Sequence, residues 1–268
     1  MGIAARGGGG TVDEEQFARW VAGRAAAVPG VVAVGLGGSR AQGLHRPDSD
    51  WDFGLYYRGR LDPDDVRALG WAGTVFAPGE WGGGVMNGGA WLTVEGRRVD
   101  LHYRDLDAVT HHLAEAEQGR FRVERLPFHL AGIPTYVVVG ELAVARVLVG
   151  ELPRPGFPPL LRQRAARFWA EAARLTLDYT EAVHAARGDA LGCAGGLARA
   201  VVEAAHGRLA AAGTWALNEK RIVERAGLDG LAPRFARLGG TPAALHLAVQ
   251  EVRAALEATP ESRPGRDR

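Results

Sequence analysis

Lysine is nearly absent from this chain: Lys220 stands alone among 32 basic side chains, the other 31 being arginine. Asparagine occurs only at Asn87 and Asn218, and serine only at Ser39, Ser49 and Ser262. The single cysteine, Cys193, excludes an internal disulfide and a cysteine-based zinc cluster. Neither sign of charge prevails. With 32 basic and 31 acidic groups the net charge is +1, so no long-range field gathers nucleic acid or an anionic membrane surface. No apolar run reaches the roughly 18 residues of a membrane span; the longest, Tyr136 to Val149, is broken by Gly140, Glu141 and Arg146. The first residues lack the basic-then-apolar pattern of a signal peptide, and the chain reads as a soluble, cytoplasmic protein.

What is abundant is alanine, glycine, arginine, valine, leucine and proline, the mark of drift that exchanges residue types wherever physics allows it. Sites that resist such drift are informative. A surface cation is interchangeable between lysine and arginine, but a compact ammonium that meets a phosphate as a point charge is not. Lys220 is therefore a candidate functional residue, and Asn218 two positions earlier strengthens it. The length of 268 residues suits one large domain or two small ones.

Along the chain, residues 1–10 are glycine-rich and read as disordered. Thr11 and Glu14 form a capping box for a helix running to about Val28, with Phe17, Trp20 and Val21 at helical spacing. Val31 to Leu36 reads as a buried strand, Gly37-Gly38-Ser39 as a turn into a short helix from Arg40 to Leu44, and Asp50 to Tyr57 as a second strand. Asp62-Pro63 opens a short helix to about Leu69. Gly79 to Gly89 reads as a loop, Trp91 to Tyr103 as a hairpin around Gly96, and Asp105 to Gly119 as a capped helix. Beyond that point the pattern is helical. Leu161, Ala165, Phe168, Ala172, Leu175, Tyr179 and Val183 mark one amphipathic stripe. Leu191, Ala194, Ala198, Val201, Ala205 and Leu209 mark a second after the Asp189 cap, and Thr241-Pro242 opens a final helix. The expected division is a mixed α/β domain over 1–119 and a helical bundle over 120–268, with 260–268 a loose tail.

Asp50 and Asp52 fall on one side of the second strand, with Trp51 and Phe53 on the other. Two neighbouring carboxylates repel unless a cation lies between them, and oxygen ligands suit Mg²⁺. Asp100, inside the strand-like run Val99 to Tyr103, is a third acid placed to complete such a site. A Gly-Gly-Ser turn offers backbone N–H groups and a hydroxyl to phosphate oxygens. These parts together point to phosphoryl or nucleotidyl transfer.

The run Gly-Gly-Ser-Arg-Ala-Gln-Gly, followed by Ser-Asp-Trp-Asp-Phe and Arg-Val-Asp-Leu-His, resembles the nucleotidyltransferase superfamily typified by DNA polymerase β. The resemblance covers about the first 105 residues; the helical second half is similar in architecture alone to two-domain nucleotidyltransferases acting on aminoglycosides and lincosamides. It implies an α+β fold, a mixed sheet with flanking helices followed by an all-α bundle. It implies Mg²⁺ on Asp50 and Asp52, two ions in all, with Asp100 binding the second ion or taking the proton from the acceptor hydroxyl. Gly38, Ser39, Arg40 and Ser49 would hold the nucleotide, and Lys220 would reach the triphosphate. Asn87, Trp81, His102 and Asn218 are pocket candidates, whereas Trp91 is expected in the core. The partners implied are an NTP and a small hydroxylated acceptor, an antibiotic being one such compound. An RNA or protein acceptor, as in nucleotidyltransferase toxins, and a nucleotide-binding regulator without chemistry are the rival readings.

Overall fold

The computed structural model of the chain describes residues 10–82 and 84–258. The glycine-rich start, the tail after 258 and the side chain of Thr11 lie outside the described residues. The chain packs as two compact units, one ending at Leu113 and regained over Val138–Gly156, the other made of Ala114–Val137 and the segment from Phe157 onward. The expected boundary near 119 is therefore corrected: 138–156 belongs with the first unit. Among the described residues no helix is long and apolar enough to cross a membrane.

The first unit is built on a six-stranded mixed sheet. Its strands are β1 (Val31–Leu36), β2 (Trp51–Tyr57), β3 (Ala72–Val75), β4 (Gly89–Val94), β5 (Arg97–Asp105) and β8 (Arg146–Val149), in the order β3-β4-β5-β2-β1-β8. Only β2 and β5 run parallel; the other pairs are antiparallel. The α+β class, with a mixed sheet and a helical C-terminal region, is the one expected. Strand β3 was not foreseen, because Ala72-Gly73-Thr74-Val75 carries no buried alternation: three of its four residues are exposed.

Alternation along β2 and β5 sorts the two faces of the sheet. Trp51, Phe53, Leu55, Val99 and Leu101 enter a core with Phe17 and Val21 of α1 (Gly10–Ala25) and with Val66 of α3 (Pro63–Arg67). Asp62 caps α3 as expected, its side chain accepting from the Asp64 N–H. On the opposite face, α5 (Val137–Val144) supplies Glu141, whose carboxylate binds the buried Arg104 of β5 at 2.6 and 2.8 Å. The apolar run Tyr136 to Val149 is thus a helix followed by the edge strand β8, two elements too short for periodicity to separate.

The second unit is helical apart from a two-stranded ribbon, β6 (Val123–Glu124) with β7 (Ile133–Pro134). Asp105 receives the Asp107 N–H at 2.8 Å at the start of α4 (Leu106–Glu117), the helix that leads from the first unit into the second. Its two longest helices among the described residues are α6 (Pro159–Tyr179) and α7 (Ala190–Ala211). Asp189 caps α7 through the Gly192 N–H, and Thr241 caps α8 (Pro242–Glu257) through the Ala244 N–H. The stripe of α6 is shifted from expectation. Its buried residues are Leu161, Ala165, Trp169, Ala173 and Leu177, while Phe168, Leu175 and Tyr179 are exposed. A strict four-residue step with small residues alternating against large ones lets α7 approach, and the bulkier stripe turns outward. Likewise Cys193 and Leu197 face inward on α7, and Leu191 is exposed.

Buried against Trp169 lies His206, its ring stacked at 4.5 Å and 18°. Neither ring nitrogen has a hydrogen-bond partner among the described residues, and the nearest carboxylate oxygen, of Glu219, is 4.0 Å away. Burial, with repulsion from His129 and Arg225, pushes the His206 pKa down to about 4. The unfolded chain then binds the proton more tightly, so stability is full above pH 6.5 and is lost as pH falls toward 4. Urea unfolding from pH 7 to 4.5 is expected to show this slope, worth on the order of 3 kcal/mol at its limit. In His206→Gln that component disappears; a variant with the wild-type slope would assign the loss to other groups.

Candidate active site

The parallel register of β2 and β5 sets Asp52 directly beside Asp100 and Gly54 beside His102. Side chains two residues apart share a face, so Asp100, His102 and Arg104 project from β5 to the side opposite the core. At one end of this ladder α5 covers the sheet, where Tyr56 and Arg104 are buried. Asp52, Asp100 and His102 remain half-buried beyond it, with ligand atoms within 4.8 Å of one another. The nearest imidazole nitrogen, Nε2 of His102, is 3.7 Å from Asp52 Oδ1. His102, a pocket candidate from the sequence, is part of the cluster in the structure.

Asp50 is placed differently from expectation. It precedes β2, and its Oδ1 lies 2.6 Å from Nε of Arg98, two residues before Asp100. The three groups brought together are Asp52, Asp100 and His102, while the Asp50 carboxylate neutralises Arg98. This donor set fits a divalent cation. Carboxylate oxygens suit Mg²⁺ or Mn²⁺, and an imidazole widens the choice to Zn²⁺.

The Gly37–Ser39 turn lies against this cluster. The Gly37 N–H donates to the backbone oxygen of Asp52 at 2.8 Å, and Gly38 opens α2 (Gly38–Ala41) at φ +59. A methyl group built on Gly38 would fall 1.8 Å from Asp52 Oδ2, so only glycine lets the turn approach the carboxylate. Arg40 does not face outward as a phosphate ligand would. Its Nε and Nη2 donate to the Ser49 carbonyl at 3.2 and 2.8 Å, Nη1 donates to Glu14 at 3.0 Å, and the guanidinium lies 4.0 Å over the Trp51 ring. It clamps the loop that delivers Asp50 and Asp52. The Ser49 hydroxyl closes a turn by accepting the Arg46 N–H at 2.9 Å.

The Asn87 amide donates to the Tyr57 hydroxyl at 3.3 Å. Asn218 accepts the Lys220 N–H at 2.9 Å in an exposed turn of the second unit, with the Lys220 side chain in solvent. Trp81 meets His102 edge-on at 5.7 Å and stacks on Trp91 at 5.7 Å. Trp91, expected in the core, is 53% exposed because it is the cross-strand partner of Asp100 on the open face.

Glu141 was not foreseen. Burial works to raise its pKa, but Arg104 and His102 hold it below the ordinary carboxylate range against the push of Asp52. The Arg104–Glu141 pair thus stands in the field of the acidic cluster. A polar residue at every second position of β5 signalled Arg104, but its partner lies 37 residues onward.

No protein-family model matches the chain, and no curated protein matches it in sequence. Among solved structures it is similar to a nucleotidyltransferase-like protein from Exiguobacterium sibiricum 255-15. That similarity spans 91% of this chain and 74% of the other, at 14% identity and a TM-score of 0.44.

The contact at Gly38 is testable. Gly38→Ala is expected to lower Mn²⁺ affinity, read by electron paramagnetic resonance, at least tenfold, while a positive φ without glycine costs about 1 kcal/mol of stability. Unchanged Mn²⁺ affinity in a folded variant would separate the turn from the carboxylates.

Proposed function

We propose that this chain is a nucleotidyltransferase that moves a nucleoside monophosphate from an NTP to a hydroxyl of a small acceptor, releasing pyrophosphate. The observation that carries the reading is the convergence of Asp52, Asp100 and His102 under a glycine turn whose approach depends on Gly38. The resemblance of the same residues to the nucleotidyltransferase motifs supports it.

In this reading Gly38 and Ser39 hold phosphate oxygens, and Asp52, Asp100 and His102 hold the cation, for which Mg²⁺ is the proposed species. The bound cation supplies positive charge against the negative charge that develops on the α-phosphate. The acceptor oxygen forms a bond to the α-phosphorus while the bond from that phosphorus to the bridging oxygen breaks in line. The electron pair leaves with pyrophosphate, and the acceptor proton passes to Asp100. The second ion that the family resemblance implies stays part of this reading, on the Asp50 carboxylate, which lies 2.6 Å from Arg98 and whose Oδ1 has no hydrogen-bond partner among the described residues. Glu141 with Arg104 fixes the closed end of the site. Lys220 is proposed to neutralise the leaving pyrophosphate, on the composition argument and the resemblance. The net charge of +1 favours a compact acceptor, such as an antibiotic, over a nucleic-acid track.

Asp52→Asn is expected to abolish Mg²⁺-dependent pyrophosphate release without loss of the folded state, since Asp52 lies outside the core. Wild-type turnover in that variant would refute the assignment. With labelled NTP and a cell lysate, label is expected in small molecules; label retained on RNA or protein in a gel would replace the small acceptor with a macromolecular one. Lys220→Arg is expected to lower kcat/KM for NTP about tenfold, or about 1.4 kcal/mol of transition-state stabilisation. Melting temperature should stay constant, because an exposed cation contributes little to folding. Unchanged kinetics would remove Lys220 from the reaction.

A further inference from the structure

Phe76, Trp81 and Trp91 form an aromatic shelf on the open face of the sheet, immediately beyond Asp100. Trp81 stacks on Trp91 with 26° between the rings, and Phe76 meets Trp91 edge-on at 4.7 Å. The shelf is built rather than incidental. Trp81 reaches it from the loop after β3 and lies over Gly89, where an added methyl would fall 2.5 Å from Trp81 Cη2. Its Nε1 is buried with no hydrogen-bond partner among the described residues, a cost that packing alone does not explain. Trp91 keeps half its surface in solvent although it sits against two other rings. Large aromatic side chains left open beside a polar cluster are the usual lining of a ligand site.

Strand order decides which ligand. The sequence β4-β5-β2-β1 sets the shelf, on β4 and the loop before it, on one side of the Asp52–Asp100 pair, and the Gly37–Ser39 turn, which follows β1, on the other. An in-line displacement needs the attacking and leaving oxygens on opposite sides of phosphorus. With the triphosphate on the turn, the attacking hydroxyl comes from the side of Asp100 and Trp91, which are directly opposed across β4 and β5.

We propose that Phe76, Trp81 and Trp91 are the acceptor subsite, and that the acceptor carries its reactive hydroxyl on or beside a ring whose flat face stacks on Trp91. The apolar face of a sugar and the face of an aromatic ring share this chemistry. The proposal rests on the nucleotidyl-transfer reading, and its test is chosen so that the two fail separately.

Binding is read by saturation-transfer NMR with methyl β-D-glucopyranoside, benzyl alcohol and sorbitol, the last a hydroxylated chain without a ring. Binding of Mn²⁺·ATP is followed in parallel by electron paramagnetic resonance. The expected result is saturation transfer to at least one ring probe and none to sorbitol, with the stronger of the two ring probes identifying the acceptor as sugar or aromatic. Trp91→Leu, a change at an exposed position, should weaken the ring probe tenfold or more and leave Mn²⁺·ATP affinity within twofold. Trp81→Phe should weaken the probe by a smaller factor. Equal binding of sorbitol, no binding of either ring probe, or an unchanged ring-probe affinity in Trp91→Leu would overturn the subsite. A loss confined to Mn²⁺·ATP would make the shelf a nucleobase platform and overturn it as well. Ring-probe binding that behaves as expected, without pyrophosphate release from any acceptor, would instead refute the transfer reading.

Discussion

Two carboxylates on neighbouring parallel strands govern the rest of this structure. In-register pairing of β2 with β5 brings Asp52 and Asp100 within one strand spacing, about 4.8 Å, where like charges oppose each other. Such a pair has no value to a core. It is tolerated because the face that carries it is left open and because a cation fits between the ligand atoms.

The same pleat that exposes these groups anchors them. Each polar position on β2 and β5 is flanked by residues fixed in the opposite core: Trp51 and Phe53 around Asp52, Val99 and Leu101 around Asp100. The clamp of Arg40 on the loop before β2 and the pairing of β8 with β1 stiffen the frame from either side. A site on paired strands is held more closely than one on loops. Here the loops contribute what strands cannot, the close approach of the Gly38 turn and the overlay of Trp81 on Gly89.

The second unit follows a different logic. Its helices α6 and α7 pack through alternating small and large residues, and the imidazole of His206 in their interior is accommodated by stacking on Trp169 rather than by hydrogen bonding. The expense of that choice appears only under acid, when the ring must bind a proton in an apolar setting.

Much of this was legible in the residues. Strand β1, the start of α3, the β4–β5 hairpin and the caps of α4, α7 and α8 followed from local chemistry, because a capping side chain or a turn acts within a few positions of itself. The carboxylates of Asp52 and Asp100 were legible because alternation assigns a face without knowledge of partners. What needed the tertiary structure were matters between distant segments. The return of α5 and β8 to the first unit, the Glu141 that answers Arg104, the engagement of Asp50 by Arg98, the clamp role of Arg40 and the exposure of Trp91 each depend on which strand lies beside which. Periodicity reports which face of an element is apolar; it carries no information on what that face meets. The sequence by itself determined the carboxylates and the glycine turn on which the proposed function rests. Only the pairing of β2 with β5 and of β5 with β4 decided which carboxylates share a site and what stands next to them, since those pairings are long-range contacts with no local signature.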